Sequence, residues 1–318
     1  MKEPLISILC PVLNEADNIE NLVHSFTLDK IEKEIFFIDG GSTDNSKEII
    51  ESVRRKYPNV FLVDNPQKFV SPGFNKAFAL SKGKYISFLG AHANYPKEFF
   101  ENAVKYLSSG ECDAVGGPLI QKGKEFWGEI IAECMSSKFG VGGTEFRTSR
   151  TKQYVQSVAF ATYKREVFEQ AGLLDESLVR NQDDEFHYRM NSLGYKILMV
   201  PEMQCEYFVR SSPKKLFKQY FEYGLYKPKV LFKIKESVRI RHLVPTAFVL
   251  YLVAAVFLFS IFPVVLLPLL AYLIGAFASV VKTKLSIVQK IAAVYIFFIL
   301  HLAYGLGFIK GLTIFRKQ

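Results

Sequence analysis

Two stretches near the C-terminus, residues 243–281 and 291–309, contain no Asp, Glu, Lys or Arg. Runs of 18 or more apolar residues are typical of helices that span a membrane. The first stretch has 39 residues, more than one span needs, and Pro263 and Pro268 offer a break within it. We therefore predict about three spans, near residues 245–262, 264–281 and 290–309. The Pro-broken segments could instead be re-entrant.

A strongly basic block precedes the apolar stretches. Residues 210–241 contain ten Lys and Arg against two Glu, a net charge of +8, whereas the whole chain carries +9. A basic block beside a span favours the cytoplasmic side and attracts anionic membrane lipids. No nucleic-acid-binding motif accompanies it, so we expect no nucleic-acid partner. Because residues 1–4 lead directly into a predicted strand, we expect no signal peptide and an integral membrane protein with a cytoplasmic N-terminal domain.

Short β-prone runs alternate with helical patterns in the first two thirds of the chain. Predicted strands lie at residues 5–13, 34–39, 60–63, 85–89, 113–117, 157–163 and 196–200. Strands separated by helices at this spacing predict an α/β fold with a mostly parallel sheet and helices on both faces. We assign residues 1–212 to this domain, 213–242 to a basic interface segment and 243–318 to the membrane region. Four widely spaced cysteines predict reduced thiols.

The interface segment contains an amphipathic pattern from Lys214 to Leu225. Apolar residues recur at helical spacing on one side, and most of the charged residues take the other. Such a helix can lie in the membrane interface. The alternative is a helix docked on the globular domain, and the closeness of the predicted spans favours the interfacial interpretation.

The predicted strand that begins at Tyr85 ends in the sequence Gly90-Ala91-His92. In an open α/β sheet, ligands gather beyond the carboxyl ends of the strands. We therefore place these three residues at the functional edge of the sheet, although a surface histidine after a strand is unremarkable when taken alone.

Several motifs occur in order at predicted strand ends: Pro11-Val-Leu13-Asn14-Glu15, Asp39-Gly-Gly41-Ser42-Thr-Asp44, Gly73-Phe-Asn75, Gly90-Ala91-His92-Ala-Asn-Tyr-Pro96 and Asn181-Gln-Asp183-Asp-Glu185. Together they resemble the family 2 glycosyltransferases, which use a nucleotide-binding GT-A fold. The Ala-His-Ala-Asn-Tyr-Pro run, residues 140–147 and residues 219–224 narrow the resemblance to the succinoglycan glucosyltransferase (ExoA-like) branch. The likeness covers about residues 4–225.

The resemblance implies a donor-binding role for a set of residues near these strand ends. Asp39 would accept a hydrogen bond from a uracil N–H, and the turn at Leu13, Asn14 and Glu15 would hold the base and ribose. The complete predicted set is Pro11, Leu13, Asn14, Glu15, Asp39, Gly41, Ser42, Asp44, Asn75, Ala91 and Gln219. For Ser42 and Asp44 the alternative is helix capping, and for Asn14 it is a plain turn.

Asp183 matches the acid that the family uses as catalytic base. An inverting transfer needs one carboxylate to take the proton of the acceptor hydroxyl as its oxygen attacks the anomeric carbon. Gln182 stands where a Glu is usual, and Asp184 is the base if the register differs by one residue. The alternative is a solvated acidic helix start, which suits the helix dipole.

The resemblance also implies a divalent metal at the end of the Tyr85 strand. Relatives carry an Asp where this chain has Gly90, and His92 remains as the one candidate metal ligand. Histidine suits Mn²⁺ better than Mg²⁺. We expect a weakened site for Mn²⁺ or Mg²⁺. Compensation by another acid, an engineered Asp-to-Gly change and an inactive protein are the alternatives.

The sequence thus predicts a membrane-anchored inverting glycosyltransferase. It would move a hexose, glucose being favoured, from a UDP-sugar to a lipid-linked, polyprenyl-type acceptor. The alternative is a catalytically impaired sugar-nucleotide-binding or assembly subunit, suggested by Gly90. A nucleotidyltransferase is disfavoured because no basic Gly-rich triphosphate loop lies near the N-terminus.

Overall fold

A computed structural model describes residues 3–234, 237 and 239–316. The chain forms two compact units, one made of Met1–Ile120 and Ser149–Tyr207, the other of Gln121–Thr148 and Phe208–Gln318. This division differs from the predicted domains, because residues 121–148 group with the C-terminal helices rather than with the sheet.

The strands are β1 (Ile6–Val12), β2 (Lys33–Asp39), β3 (Val60–Asp64), β4 (Tyr85–Phe88), β5 (Ala93–Asn94), β6 (Ala114–Gly116), β7 (Leu119–Lys122), β8 (Gln153–Val155), β9 (Thr162–Lys164), β10 (Ile197–Met199) and β11 (Cys205–Phe208). The helices are α1 (Ala16–Phe26), α2 (Ser46–Lys56), α3 (Val70–Leu80), α4 (Phe99–Ser108), α5 (Glu125–Ser136), α6 (Lys138–Val141), α7 (Glu145–Thr148), α8 (Arg165–Ala171), α9 (Gln182–Ser192), α10 (Pro213–Lys233), α11 (Ile240–Leu258), α12 (Leu267–Val280) and α13 (Ile287–Phe315). Short 3₁₀ helices lie at Pro201–Met203 and Pro263–Leu266.

The first unit is built on a mixed sheet, which among the described residues has the strand order β3-β2-β1-β4-β9-β6-β10-β8. Strand β1 pairs in parallel with both β2 and β4, and β2 pairs in parallel with β3. β9 runs antiparallel to both β4 and β6. The predicted α/β fold is therefore confirmed, with mostly antiparallel pairing in the second half of the sheet, where β6 and β10 are the parallel pair. Strand β1 is central, which explains its continuous apolar sequence.

The predicted strand at residues 157–163 is wrong for most of its length. Strand β9 begins at Thr162, and the residues before it form an irregular loop. Phe160 has φ of 55°, a left-handed conformation that a strand does not allow. The apolar pattern has another cause, because Val158 is buried against Gly116 and the Phe160 ring covers Gly90.

In the second unit, helices α10 and α13 pack closely against each other. A Cβ atom at Gly224 would lie 2.1 Å from the Tyr304 carbonyl oxygen, and one at Gly307 would lie 2.1 Å from that of Phe221. Glycine is needed because the two backbones approach this closely. The predicted amphipathic helix is confirmed as a helix and is longer than expected. Part of its apolar face packs on α13.

Within the described part of the chain, three helical segments are long and apolar enough to cross a membrane: Ile240–Leu258, Pro263–Val280 and Ile287–Phe315. They correspond to the three predicted apolar segments. The first helix ends at Leu258 and the next helical segment begins at Pro263, a first helical position that suits proline.

Candidate active site

The loops that follow β1 and β2 are bonded to each other beyond the carboxyl ends of these parallel strands. The Asn14 amide N–H donates to Ser42 Oγ at 2.9 Å, and the Thr43 amide N–H donates to Asn14 Oδ1 at 2.8 Å. Asn14 has φ of 57°, a conformation that Asn tolerates better than most residues. The Glu15 amide N–H donates to Ser46 Oγ at 2.8 Å. These hydrogen bonds hold the turn at Leu13, Asn14 and Glu15, which is predicted to bind the base and ribose, against the residues that follow β2.

Asp39, the last residue of β2, is buried, and its carboxylate has several polar partners. Its carboxylate accepts from the amides of Gly41 at 3.0 Å and Ser42 at 3.1 Å, and Lys47 Nζ lies 3.3 Å away. Burial alone raises the pKa of Asp39, but these hydrogen bonds outweigh it and hold the pKa below the ordinary value. The side chain is therefore an ionised acceptor at neutral pH.

Asp44 caps two helices at once. Its Oδ2 accepts from the Ala16 amide at 3.2 Å, while its Oδ1 accepts from the Ser46 amide at 3.0 Å and from Ser46 Oγ at 2.5 Å. The structure therefore confirms helix capping for Asp44, and contact with a donor stays a prediction.

His92 lies against Glu15. The distance from His92 Nδ1 to Glu15 Oε1 is 3.0 Å, and the other carboxylate oxygen accepts from Asn18 Nδ2 at 2.7 Å. Glu15 is buried, whereas the His92 side chain is 45% exposed. In the tautomer that donates from Nδ1–H to the carboxylate, Nε2 keeps its lone pair, as is common for metal-binding and general-base histidines.

The space beside Gly90 is filled. A Cβ atom at this position would lie 2.5 Å from Phe160 Cε1 and 2.9 Å from Cζ. The Tyr95 hydroxyl holds the Gly90 backbone at 2.8 Å from both its N and its O. An aromatic ring thus stands where a side chain of residue 90 would begin.

The described residues do not fit a metal ion held by protein ligands alone. They contain no group of three or more His, Cys, Asp or Glu side chains that could hold a metal. His92 already bonds to Glu15 through Nδ1, and Gly90 contributes no ligand.

The predicted base lies at the start of α9. Asn181 precedes the helix with φ of 62°, and Asp183 Oδ1 accepts from the Asp184 amide at 2.9 Å. Glu185 is buried and bonds to Arg189 Nε at 2.7 Å. Arg189 in turn donates to the Leu173 carbonyl at 2.7 Å. Of the three acids, Glu185 is therefore structural, which leaves Asp183 and Asp184 as candidates for the base.

His187 is a buried residue that the sequence did not single out. Its Nδ1 lies 3.0 Å from Ser157 Oγ, and its Nε2 lies 2.7 Å from Tyr163 Oη. Burial lowers the pKa of His187 to about 4, although the nearby Asp184 opposes this shift. The imidazole is therefore neutral at pH 7. It ties α9 to β9 directly behind the acidic residues.

The family model described as Glycosyl transferase family 2 matches residues 7–172. The chain belongs to glycosyl transferase family 2. The "Succinoglycan biosynthesis protein ExoA" of Rhizobium meliloti is 32% identical over 244 residues, covering 76% of this chain and 74% of that protein. The family membership makes the chain a nucleotide-sugar glycosyltransferase.

One further relative and one solved structure match almost the whole of this chain. A Methanococcus voltae protein named dolichyl N-acetyl-alpha-D-glucosaminyl phosphate 3-beta-D-2,3-diacetamido-2,3-dideoxy-beta-D-glucuronosyltransferase is 27% identical, covering 96% of this chain and 97% of its own. The solved mannosyltransferase PcManGT from Pyrobaculum calidifontis, in complex with GDP-Man and Mn²⁺, has a TM-score of 0.65 at 17% identity. It covers 96% of this chain and 88% of its own. The latter likeness confirms the GT-A fold.

The remaining predicted site residues of this glycosyltransferase lie in three places. Pro11, Leu13, Gly41 and Ala91 lie at the ends of β1, β2 and β4, beside the bonded loops. Asn75 on α3 lies elsewhere. Its amide donates to the Leu174 carbonyl and to Glu176 Oε1, each at 2.9 Å, so it holds the segment between α8 and α9. Gln219 belongs to the second unit, where it donates to Tyr223 Oη at 3.0 Å.

Proposed function

We propose that the protein transfers a hexose, glucose being favoured, from a UDP-sugar to a lipid-linked acceptor with inversion of the anomeric carbon. The observation that carries the proposal is the arrangement at the strand ends of a family 2 glycosyltransferase: the buried, ionised Asp39, the bonded Asn14–Ser42 loops and the Glu15–His92 pair. They meet where an open α/β sheet binds its ligands.

The names of the relatives support the substrate classes. One relative is named for succinoglycan biosynthesis, which favours polysaccharide synthesis. The Methanococcus voltae relative is named for transfer to a dolichyl-linked sugar phosphate, and its similarity extends through the C-terminal helices. A polyprenyl-type acceptor would sit in the membrane that these apolar helices are suited to enter.

Asp183 is the proposed catalytic base. Its carboxylate would accept the acceptor hydroxyl proton while that oxygen bonds to the anomeric carbon and the bond from this carbon to the diphosphate breaks. UDP leaves with the electron pair of the broken bond. Residues 181–185 place both candidate acids at the first turn of α9. There the helix N-terminus favours a carboxylate in its ionised form, as a base requires.

The donor would be held mainly by the first unit. Asp39 would accept from the uracil N–H, since its carboxylate is ionised and fixed in place. Any Mn²⁺ or Mg²⁺ would have His92 as its protein ligand and would depend on the diphosphate itself, so we expect weak binding and a preference for Mn²⁺. A binding or assembly subunit is the second candidate, because Gly90 offers no carboxylate.

We also propose that the first unit is cytoplasmic and that the protein is an integral membrane protein. The basic block beside the apolar helices supports this orientation and an attraction to anionic lipids. The protein should sediment with membranes and require detergent for extraction. Full-length protein that stays soluble at high salt without detergent would contradict the attachment.

The deciding experiment measures donor hydrolysis and transfer across a panel of nucleotide sugars, with and without Mn²⁺, in the purified full-length protein. We expect UDP-glucose to be preferred. Asp183→Asn should keep UDP binding and lower turnover about 10²–10⁴-fold. Asp184→Asn is the matched control. Loss of turnover in Asp184→Asn alone would identify Asp184 as the base. UDP binding without turnover in the unmodified protein would favour the second candidate, a binding or assembly subunit.

A further inference from the structure

The second unit contains two kinds of apolar helix that differ in what surrounds them. Of the apolar segment of α13, 50% is buried within the protein, compared with 28% for α11 and 11% for the segment Pro263–Val280. Length and composition alone make all three suitable as membrane spans. Their surroundings separate α13 from the other two.

Charged helices flank α13 along its first half. Helix α5 carries Glu125, Glu129 and Glu133. It contacts α13 through Gln289, whose Nε2 donates to Glu129 Oε2 at 2.7 Å, and through the Cys134 thiol, 3.7 Å from the Ala293 carbonyl. Phe139, which follows the exposed Lys138, accepts from His301 Nε2 at 3.0 Å.

A second charged helix flanks the other half of α13. Helix α10 contacts it from Tyr304 to Phe315. The ammonium of Lys229 lies 5.3 Å from the centre of the Phe315 ring, and that of Lys310 lies 5.7 Å from the centre of the Phe221 ring. Six further charged residues occur on α10: Lys214, Lys215, Lys218, Glu222, Lys227 and Lys233. If α13 crossed a bilayer, its packed partners would carry these charges into the hydrocarbon, which is strongly unfavourable.

The α11–α12 pair has the opposite character. Residues 243–281 are uncharged, and the two helices are joined as a hairpin whose side chains meet where Phe248 stacks on Tyr272, with ring centres 4.4 Å apart. The Tyr251 hydroxyl donates to the Val265 carbonyl at 2.8 Å near the tip of the hairpin. Large apolar side chains cover the distal part, and Phe257 is 74% exposed. Water is an unfavourable environment for such a surface, whereas lipid hydrocarbon suits it.

Positive charge flanks both ends of this hairpin. Arg239 precedes α11 and Arg241 lies in its first turn, and Lys282 and Lys284 follow α12. With three crossings, Lys284 and Arg316 would lie on opposite sides of the membrane, which places Arg316 against the positive-inside rule. If only the hairpin enters, all these residues lie on one side, next to anionic headgroups.

We propose that α11 and α12 form the membrane-inserted element, a hairpin whose two ends lie on the same side, and that α13 does not cross. Helix α13 lies instead along the membrane surface, with an exposed apolar stripe that includes Val288, Ile291, Tyr295 and Leu306 at helical spacing. This inference rests on the membrane attachment proposed above, but the two fail differently. Soluble protein would refute the attachment, whereas membrane-bound protein with an odd number of crossings would refute only the hairpin.

The test uses full-length protein in sealed vesicles and a membrane-impermeant maleimide. The four natural cysteines are buried, so the unmodified chain measures the background. Single probes are Lys284→Cys before α13 and Arg316→Cys after it, with Lys56→Cys as the reference for the first unit. We expect Lys284→Cys and Arg316→Cys to label from the same side as Lys56→Cys, to similar extents. Labelling of the first two from opposite sides would overturn the proposal.

The tip of the hairpin is tested with Ser260→Cys. We expect no labelling from the Lys284 side in intact vesicles and full labelling after detergent is added. Labelling from that side before detergent would show that the hairpin lies outside the bilayer and would equally overturn the proposal. Each variant is also labelled in detergent, which shows that its thiol can react.

Discussion

The ring of Phe160 lies against the Cα of Gly90, with Phe160 Cε1 only 2.5 Å from where a Cβ of residue 90 would stand. The two residues are 70 positions apart, and the left-handed backbone of Phe160 brings them together. Any side chain at residue 90 would therefore have to displace the Phe160 ring. Restoring a carboxylate at residue 90 needs space that the ring now fills.

Gly90→Asp alone should lower the thermal stability and leave Mn²⁺ affinity nearly unchanged. Overpacking of this kind is typically destabilising by about 1–3 kcal/mol. Gly90→Asp combined with Phe160→Ala should recover part of the stability and raise the affinity of the UDP complex for Mn²⁺. Calorimetric titration of each UDP complex with Mn²⁺ measures this affinity. Gly90→Asn with Phe160→Ala is the control that lacks the charge. Tight binding of Mn²⁺ by the unmodified UDP complex, unchanged in every variant, would rule out a lost ligand.

Asp39 should stabilise the folded protein most at neutral pH. Its pKa in the folded protein lies below the ordinary value of 3.8, so its contribution is present above that value and is lost as the pH falls through the folded pKa. Asp39→Asn should therefore lower the unfolding free energy at pH 7, and the difference from the unmodified protein should shrink below about pH 4. Denaturant titrations across this range test the prediction. A difference independent of pH would contradict it.

His187 should make the free energy of unfolding depend on pH in a higher pH range than Asp39 does. Its pKa falls from 6.5 to about 4 on folding, so the unfolded chain binds more protons between these values and stability decreases as the pH falls from 6.5 to 4. The loss is at most about 3.5 kcal/mol, given about 1.4 kcal/mol for each pKa unit. The His187→Gln variant should be less stable at pH 7, and its free energy of unfolding should change less with pH between 6.5 and 4. Equal slopes in both proteins would mean that another group titrates there.

The close contact at Gly224 between α10 and α13 predicts a large loss of stability when a single methyl group is added there. Gly224→Ala would place Cβ 2.1 Å from the Tyr304 carbonyl oxygen, a backbone atom that cannot move alone. We expect destabilisation of about 1–3 kcal/mol or more and a lower melting temperature in detergent. Thr313→Ala, on the exposed side of α13, is the matched control and should change little. Equal effects would show that the helices do not pack this closely.

The sequence by itself predicted strands β1, β2, β3, β4, β6 and β10, the apolar segments and the residues at the ends of β1, β2 and β4. These features depend on local periodicity, on Pro and Gly, and on the rule that parallel strands bring their carboxyl ends to one edge. The order of the motifs along the chain was sufficient to predict the family. Helix capping by Asp44 was among the alternatives that the sequence allowed, and only the structure shows that it caps two helices.

Only the tertiary structure decided what surrounds these residues. The contact of Phe160 with Gly90, the bonds of His187 to Ser157 and Tyr163, and the engagement of Asn75 with the segment before α9 join positions far apart in sequence. Likewise, α13 has the composition of a membrane span, and only its charged neighbours α5 and α10 distinguish it from α11 and α12. The physical reason is the same throughout. Periodicity shows that a face is apolar, but whether protein or lipid covers that face depends on packing between distant parts of the chain.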